Sequence, residues 1–176
     1  MEKIDLNEYL ASNEYPGRGI AVAMAPDGRQ MFIGYFIMGR SENSRNRVFE
    51  ETEDGIRTRA YDESKMVDPS LIIYHPVRIV GDDTVVTNGD QTDTVAGFMA
   101  EGKSSRDALF TREFEPDEPN FTPRISGVLS FGQEDGFKYE MSILKSADEA
   151  GSACSRFFYD YPCLLYTSPS PRDYAA

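Results

Sequence analysis

The sequence predicts an α+β domain built largely from antiparallel sheets. Three observations carry this. Strand-like apolar runs lie both before and after one central helical stretch, strands and helices do not alternate as βαβ units, and 176 residues is the size of one domain. A chain of that length buries a real core without disulfides or metal. Its hydrophobic share of 40% and charged share of 27% exclude whole-chain disorder.

The elements follow in chain order. Residues 2–12 read as a short amphipathic helix with Ile4, Leu6, Tyr9 and Leu10 apolar, packed on the body as an N-terminal lid. Gly19–Ala25 (GIAVAMA) reads as a strand, Pro26-Asp27-Gly28 as a turn, and Gln30–Met38 (QMFIGYFIM) as the second strand of a hairpin. Both runs are apolar on both faces, as expected for the inner sheet of a sandwich of sheets. The polar, basic Gly39–Arg47 interrupts the pattern. Arg47–Thr52 and Gly55–Ala60 resume extended structure. Apolar runs at Ser70–Tyr74 and Pro76–Val80 flank His75, and Thr84–Thr87 is a strand. Thr92–Phe98 and Arg106–Arg112 have helical spacing, broken at Gly102. Phe114–Pro123 is a Pro-rich acidic loop. Ile125–Phe131 and Phe137–Leu144 are strands joined by the polar turn Gln133–Gly136, and a further polar segment begins at Ala147.

Residues 163–176 (CLLYTSPSPRDYAA) show no periodicity, and Cys163–Asp173 resembles translated sequencing-adapter read-through. The expected organisation is therefore one domain over 1–162 and a non-native tail over 163–176.

Charge and composition exclude several function classes. The chain has 18 Lys and Arg against 30 Asp and Glu, a formal net of −12. No nucleic-acid partner and no anionic-lipid partner is expected, since both need basic surface. A small anionic substrate stays open, because a local Arg cluster overrides the global field. Cys154, Cys163 and His75 lack the spacing of a zinc or dithiol site, so no metal is expected. Met1–Leu10 is polar and acidic, unlike a secretory signal, and no run approaches the roughly 18 apolar residues of a span. The reducing cytoplasm is the expected compartment.

Five constellations could carry chemistry. In Tyr15-Pro16-Gly17-Arg18-Gly19, glycines flank an Arg able to fork onto phosphate or carboxylate; the alternative is a plain turn. Gly39–Arg47 sets Arg40, Arg45 and Arg47 among Ser41, Asn43, Ser44 and Asn46, the mixture of cations and neutral donors that suits phosphate, or else a solvated basic loop. Tyr74 and His75 adjoin an apolar run. His75 reads as structural, whereas a buried Tyr74 hydroxyl must find a partner. Asn88-Gly89-Asp90-Gln91-Thr92-Asp93-Thr94 leads into a helix, either as an N-cap by Gln91, Thr92 or Asp93, or as a site for an anion or carbonyl. Glu115–Arg124 (EPDEPNFTPR) is either a fixed acidic group near a basic site or an acidic surface loop. There is no GxSxG, Walker loop or GxGxxG.

Taken together, YPGRG at 15–19, MGRSENSRNRVF at 38–49, DPSLIIYHPVRIVGDD at 68–83, VTNGDQTDTV at 86–95 and EPDEPNFTPRISG at 115–127 resemble the archaeal-type IMP cyclohydrolase family. The resemblance covers most of 15–145. It implies a four-layer αββα sandwich of two antiparallel sheets, like that of the N-terminal-nucleophile hydrolases. It also implies closure of 5-formamidoimidazole-4-carboxamide ribotide to inosine monophosphate with loss of water. By the resemblance, catalysis falls to Tyr74, Glu115 and Arg47, with Arg45 as the alternative to Arg47 because the loop here is long. Substrate binding falls to Arg18, Arg40, Arg45, Asn88, Gly89, Asp90, Thr92, Asp93 and Arg124. The partner implied is a small-molecule purine ribotide, with no cofactor; a homo-oligomer is compatible. The family's sandwich extends beyond residue 162, so the activity implied is that of the complete protein.

That chemistry needs a base, an acid and an oxyanion donor, and requires no metal. Because it is intramolecular, holding the formyl and carboxamide groups together supplies much of the rate. Two rivals remain: a non-catalytic ribotide-binding protein on the same scaffold, and an amide hydrolase. The hydrolase would need a Cys, Ser or Thr opening the first strand, and none is there.

Overall fold

The computed structural model describes residues 5–25, 29–70, 72–133 and 136–162. The predicted turn at 26–28 and the tail at 163–176 lie outside them. Val85 and Val86 show how the fold is layered. Both are fully buried, yet neighbours in a strand point to opposite faces, so the sheet holding them is covered on both sides.

That sheet has seven antiparallel strands in sequence order: β3 (Arg47–Thr52), β4 (Gly55–Ala60), β5 (Val77–Val80), β6 (Asp83–Thr87), β7 (Arg124–Gln133), β8 (Gly136–Ser146) and β9 (Cys154–Pro162). A separate hairpin, β1 (Arg18–Met24) and β2 (Met31–Ile37), forms a second antiparallel sheet. On one face of the large sheet Val85, Val128 and Leu144 meet Val95 of α3 (Gln91–Ala100) and Ala108 and Leu109 of α4 (Ser105–Phe110). On the other face Val86, Leu129 and Tyr139 meet Ile20, Val22, Met31, Ile33 and Tyr35 of the hairpin. Each fully buried aliphatic side chain contributes about 1.5–3 kcal/mol.

The α+β sandwich of two antiparallel sheets is thus present, with a helical layer on the outside of the larger one. A helical layer outside the hairpin is not among the described residues. The hairpin consequently differs from its reading as doubly buried. Its inner face is packed, while Ala21, Ala23 and Phe32 on the outer face are exposed, Phe32 at 56%.

Element boundaries follow local chemistry. Gly102 adopts φ +75°, a conformation that favours glycine, and so separates α3 from α4. Ser104 then caps α4 through a reciprocal pair with Asp107. Two elements depart from the sequence reading within 39–47 and after 147. Glu42–Arg45 forms one turn of helix, α2, capped by Ser41. The segment after Ala147 contains β9, whose Cys154–Pro162 pairs in register with Ser146–Lys138 of β8. At the N-terminus, α1 (Leu6–Ser12) is capped by Asp5, with Tyr9 exposed and Leu10 half-buried.

Candidate active site

Arg18 opens β1 and Glu115 lies in the loop between α4 and β7. The Arg18 guanidinium donates to Oε1 and Oε2 of Glu115 at 2.5 and 3.2 Å, and to the Asn88 carbonyl at 2.6 Å. Glu115 is 2% exposed. Its position comes from the loop closing on itself. The Glu115 amide donates to the Thr122 carbonyl at 2.9 Å, and Asp117 accepts from the Thr122 amide and hydroxyl at 2.7 and 2.5 Å. The acidic stretch therefore delivers one carboxylate inward and is not a plain surface loop.

Arg47 opens β3. Its Nη1 donates to the Ile72 carbonyl at 3.5 Å, while Nη2 is buried with no hydrogen-bond partner among the described residues. Burial, and the neighbouring charge of Arg18, hold its pKa below the usual guanidinium value. Burial opposes the charge on Arg18 too. There the Glu115 hydrogen bond and charge prevail and the pKa is raised.

Tyr74 is 5% exposed and belongs to no strand. Thr58 of β4 fixes it. The Thr58 amide donates to the Tyr74 carbonyl at 2.8 Å, the Tyr74 amide donates to Thr58 Oγ1 at 2.9 Å, and that hydroxyl lies 2.8 Å from the Ile72 carbonyl. The Tyr74 hydroxyl meets the Tyr35 hydroxyl at 2.7 Å. Burial raises the Tyr74 pKa, against the hydrogen bond from Tyr35 and the charges of Arg18 and Arg47.

A cavity of about 310 Å³ opens between these groups, with Tyr15, Arg18, Arg40, Arg47, Glu115 and Asp117 among its walls. Tyr74 is not among its lining residues, but the charges of Arg18, Arg47 and Glu115 in the wall act on its phenol. Arg40 stands at 5.4 Å over the Tyr15 ring. Arg45 does not line the cavity. It donates to the Gly39 and Arg40 carbonyls at 3.0 and 2.9 Å and so ties its own loop.

The junction 88–94 divides. Asn88 clamps β6 to β7: its Nδ2 donates to the Pro123 carbonyl at 2.8 Å, and its Oδ1 accepts from the Ile125 amide at 2.9 Å and the Gln91 amide group at 3.0 Å. Thr92 is buried against Thr87 at 2.6 Å. Asp90 occupies the N-cap position, yet its carboxylate makes no capping bond. It accepts from Arg124 at 2.6 Å and pairs with Arg112. None of Gln91, Thr92 and Asp93 takes the N-cap position expected of them. Gly89 packs where a Cβ would lie 2.7 Å from Arg124 Nη1 and 3.2 Å from Glu115 Oε1, so any larger residue would disturb both. Asp93 faces outward, bonded to Arg78 at 2.7 Å and beside His75.

The structure thus brings Arg18, Arg40, Arg47 and Glu115 to one cavity, with Tyr74 and Asn88 adjoining. It holds Gly89, Asp90, Thr92 and Arg124 in the supporting layer, and leaves Arg45 and Asp93 away from it. Tyr35 and Thr58 escaped the sequence reading. A lone hydroxyl inside the apolar run QMFIGYFIM was the available signal for Tyr35, because a buried phenol needs a partner. Among the described residues no group of His, Cys, Asp and Glu is arranged to hold a metal ion. No described helix is long and apolar enough to cross a membrane.

A family model described as IMP cyclohydrolase-like protein matches residues 15–164. The chain belongs to the IMP cyclohydrolase-like family. Within it, the chain is 33% identical over 120 residues to the IMP cyclohydrolase of Methanosphaera stadtmanae, covering 66% of this chain and 58% of that protein. It is 32% identical over 120 residues to the IMP cyclohydrolase of Methanococcus aeolicus, with the same coverage. It is 34% identical over 116 residues to that of Methanopyrus kandleri, covering 64% and 57%. The chain therefore spans a little under three fifths of the length of these IMP cyclohydrolases.

Proposed function

We propose that the complete protein closes 5-formamidoimidazole-4-carboxamide ribotide to inosine monophosphate and water, as the names of its relatives suggest. The observation that carries this reading is the buried Glu115 carboxylate, held by Arg18 at the wall of a cavity that Arg47 also lines. In the reaction the carboxamide nitrogen attacks the formyl carbon, and a C–N bond forms. Two protons must reach the formyl oxygen, one from the carboxamide nitrogen and one from the formamide nitrogen. The C–O bond then breaks and water leaves.

In this reading Glu115 takes the proton from the weakly nucleophilic carboxamide, with Arg18 orienting it. Arg47 donates from its guanidinium at the cavity wall to the oxygen as it becomes negative. Glu115 returns the carboxamide proton to that oxygen, and Tyr74 supplies the second and takes the formamide proton in its place, so that neither group is left changed. Arg40, with Ser41 and Asn43 at the cavity wall, holds the phosphate. The partner is the small ribotide, and the acidic balance speaks against nucleic acid. The cytoplasm is the compartment, and a homo-oligomer is compatible.

The test is turnover of the formamido ribotide by the complete protein. Glu115→Gln and Tyr74→Phe should each lower turnover by about 10²–10⁴-fold with product affinity largely kept. Tight binding of the ribotide without dehydration by the unmutated protein would establish a binding protein instead.

A further inference from the structure

At this site the Tyr35 hydroxyl joins the hairpin to the segment that the large sheet holds. Alternation along β2 puts Met31, Ile33 and Tyr35 on the buried face of the hairpin, and the Tyr35 ring packs on Phe49 of β3 at a centroid distance of 6.0 Å. Its hydroxyl lies 2.7 Å from that of Tyr74, which Thr58 fixes from the large sheet. Two hydroxyls this close share one proton between them, so one must donate and the other accept.

Burial raises the pKa of both phenols, so each keeps its proton and the pair stays neutral.

We infer that Tyr35 is a positioning residue: the bond between its hydroxyl and that of Tyr74 fixes where the Tyr74 hydroxyl sits at the site. Without that bond the Tyr74 hydroxyl can rotate and accept no fixed direction. Tyr35 itself is not among the residues that line the cavity. The inference deepens the cyclohydrolase reading and rests on it for the part Tyr74 plays.

Two measurements test it. In the complete protein, Tyr35→Phe keeps the ring and should lower kcat about tenfold with KM within about twofold, and should cause no further loss when Tyr74 is already Phe. A normal kcat in Tyr35→Phe overturns the inference. So does a loss that persists undiminished beside Tyr74→Phe, which marks a structural role. The second measurement needs neither a variant nor turnover. With the tyrosine rings carrying carbon-13, a hydroxyl proton protected from exchange should correlate by NMR with one ring of the Tyr35–Tyr74 pair; finding no protected hydroxyl proton on either ring overturns the inference. If the unmutated complete protein shows no turnover, the cyclohydrolase reading fails, while the proton correlation still decides whether the pair is formed.

Discussion

Arg18 and Glu115, 97 residues apart in the chain, form a two-pronged ion pair in which the carboxylate is almost wholly shielded from water. The pair joins the start of the hairpin to the loop after the outer helices. Either partner alone would be a buried charge without compensation, so both site geometry and local stability depend on it.

Glu115→Gln should therefore destabilise the chain by about 3 kcal/mol, because Arg18 is left buried without its counter-charge. Replacing both residues with apolar ones of similar size should cost less than the two single changes added together. Urea unfolding of the two single variants and the double variant checks this, and simple additivity would show that the pair is not coupled.

Acid should weaken the layer behind the cavity. Burial opposes the Asp90 charge, but hydrogen bonds and charges from Arg112 and Arg124 outweigh it and hold its pKa below the usual carboxylate value. A depressed folded pKa means that the stabilisation is complete above the unfolded value of about 3.9. It is lost as pH falls through the lower folded value. Melting temperatures at pH 7 and pH 3 should accordingly differ less for Asp90→Asn than for the unmutated chain.

Arg47 and Arg45 should separate in a titration with inosine monophosphate. Arg47→Ala should weaken binding by about 1.5–3 kcal/mol, the range for a hydrogen bond to a charged group. Arg45→Ala should weaken it less, since Arg45 ties the loop carbonyls of Gly39 and Arg40 and does not line the cavity. Equal losses measured by calorimetry would place Arg45 in the binding site.

Core and outer-face substitutions should differ sharply. Leu109 is fully buried between α4 and the large sheet, and Leu109→Ala should cost about 2–5 kcal/mol. Phe32→Ser on the exposed face of the hairpin should stay within about 0.5 kcal/mol. Thermal unfolding of both variants distinguishes the packed layer from the open one.

The sequence by itself determined most strands, the central helices and the family. Alternation and turn residues mark strands such as Gly55–Ala60 because those signals are local, and five ordered motifs identify a family whatever their distance in space. Strand β9 was not legible in the same way. The packing of its aromatic residues depends on β8 beside it, and a sheet neighbour leaves no local mark.

Within the site, residue types were legible and partners were not. By the resemblance Arg45 is the alternative to Arg47, and the backbone sends Arg47 to the cavity wall while Arg45 folds back on its own loop. The junction 88–94 reads from sequence either as a helix N-cap or as a site for an anion or carbonyl. Asn88 instead clamps two strands, and Asp93 faces solvent. Only the tertiary structure decided that Glu115 meets Arg18 and that Tyr35 meets Tyr74. Each of those contacts is made by chain segments far apart in sequence, and its strength comes from the exclusion of water, which exists only once the two sheets have closed.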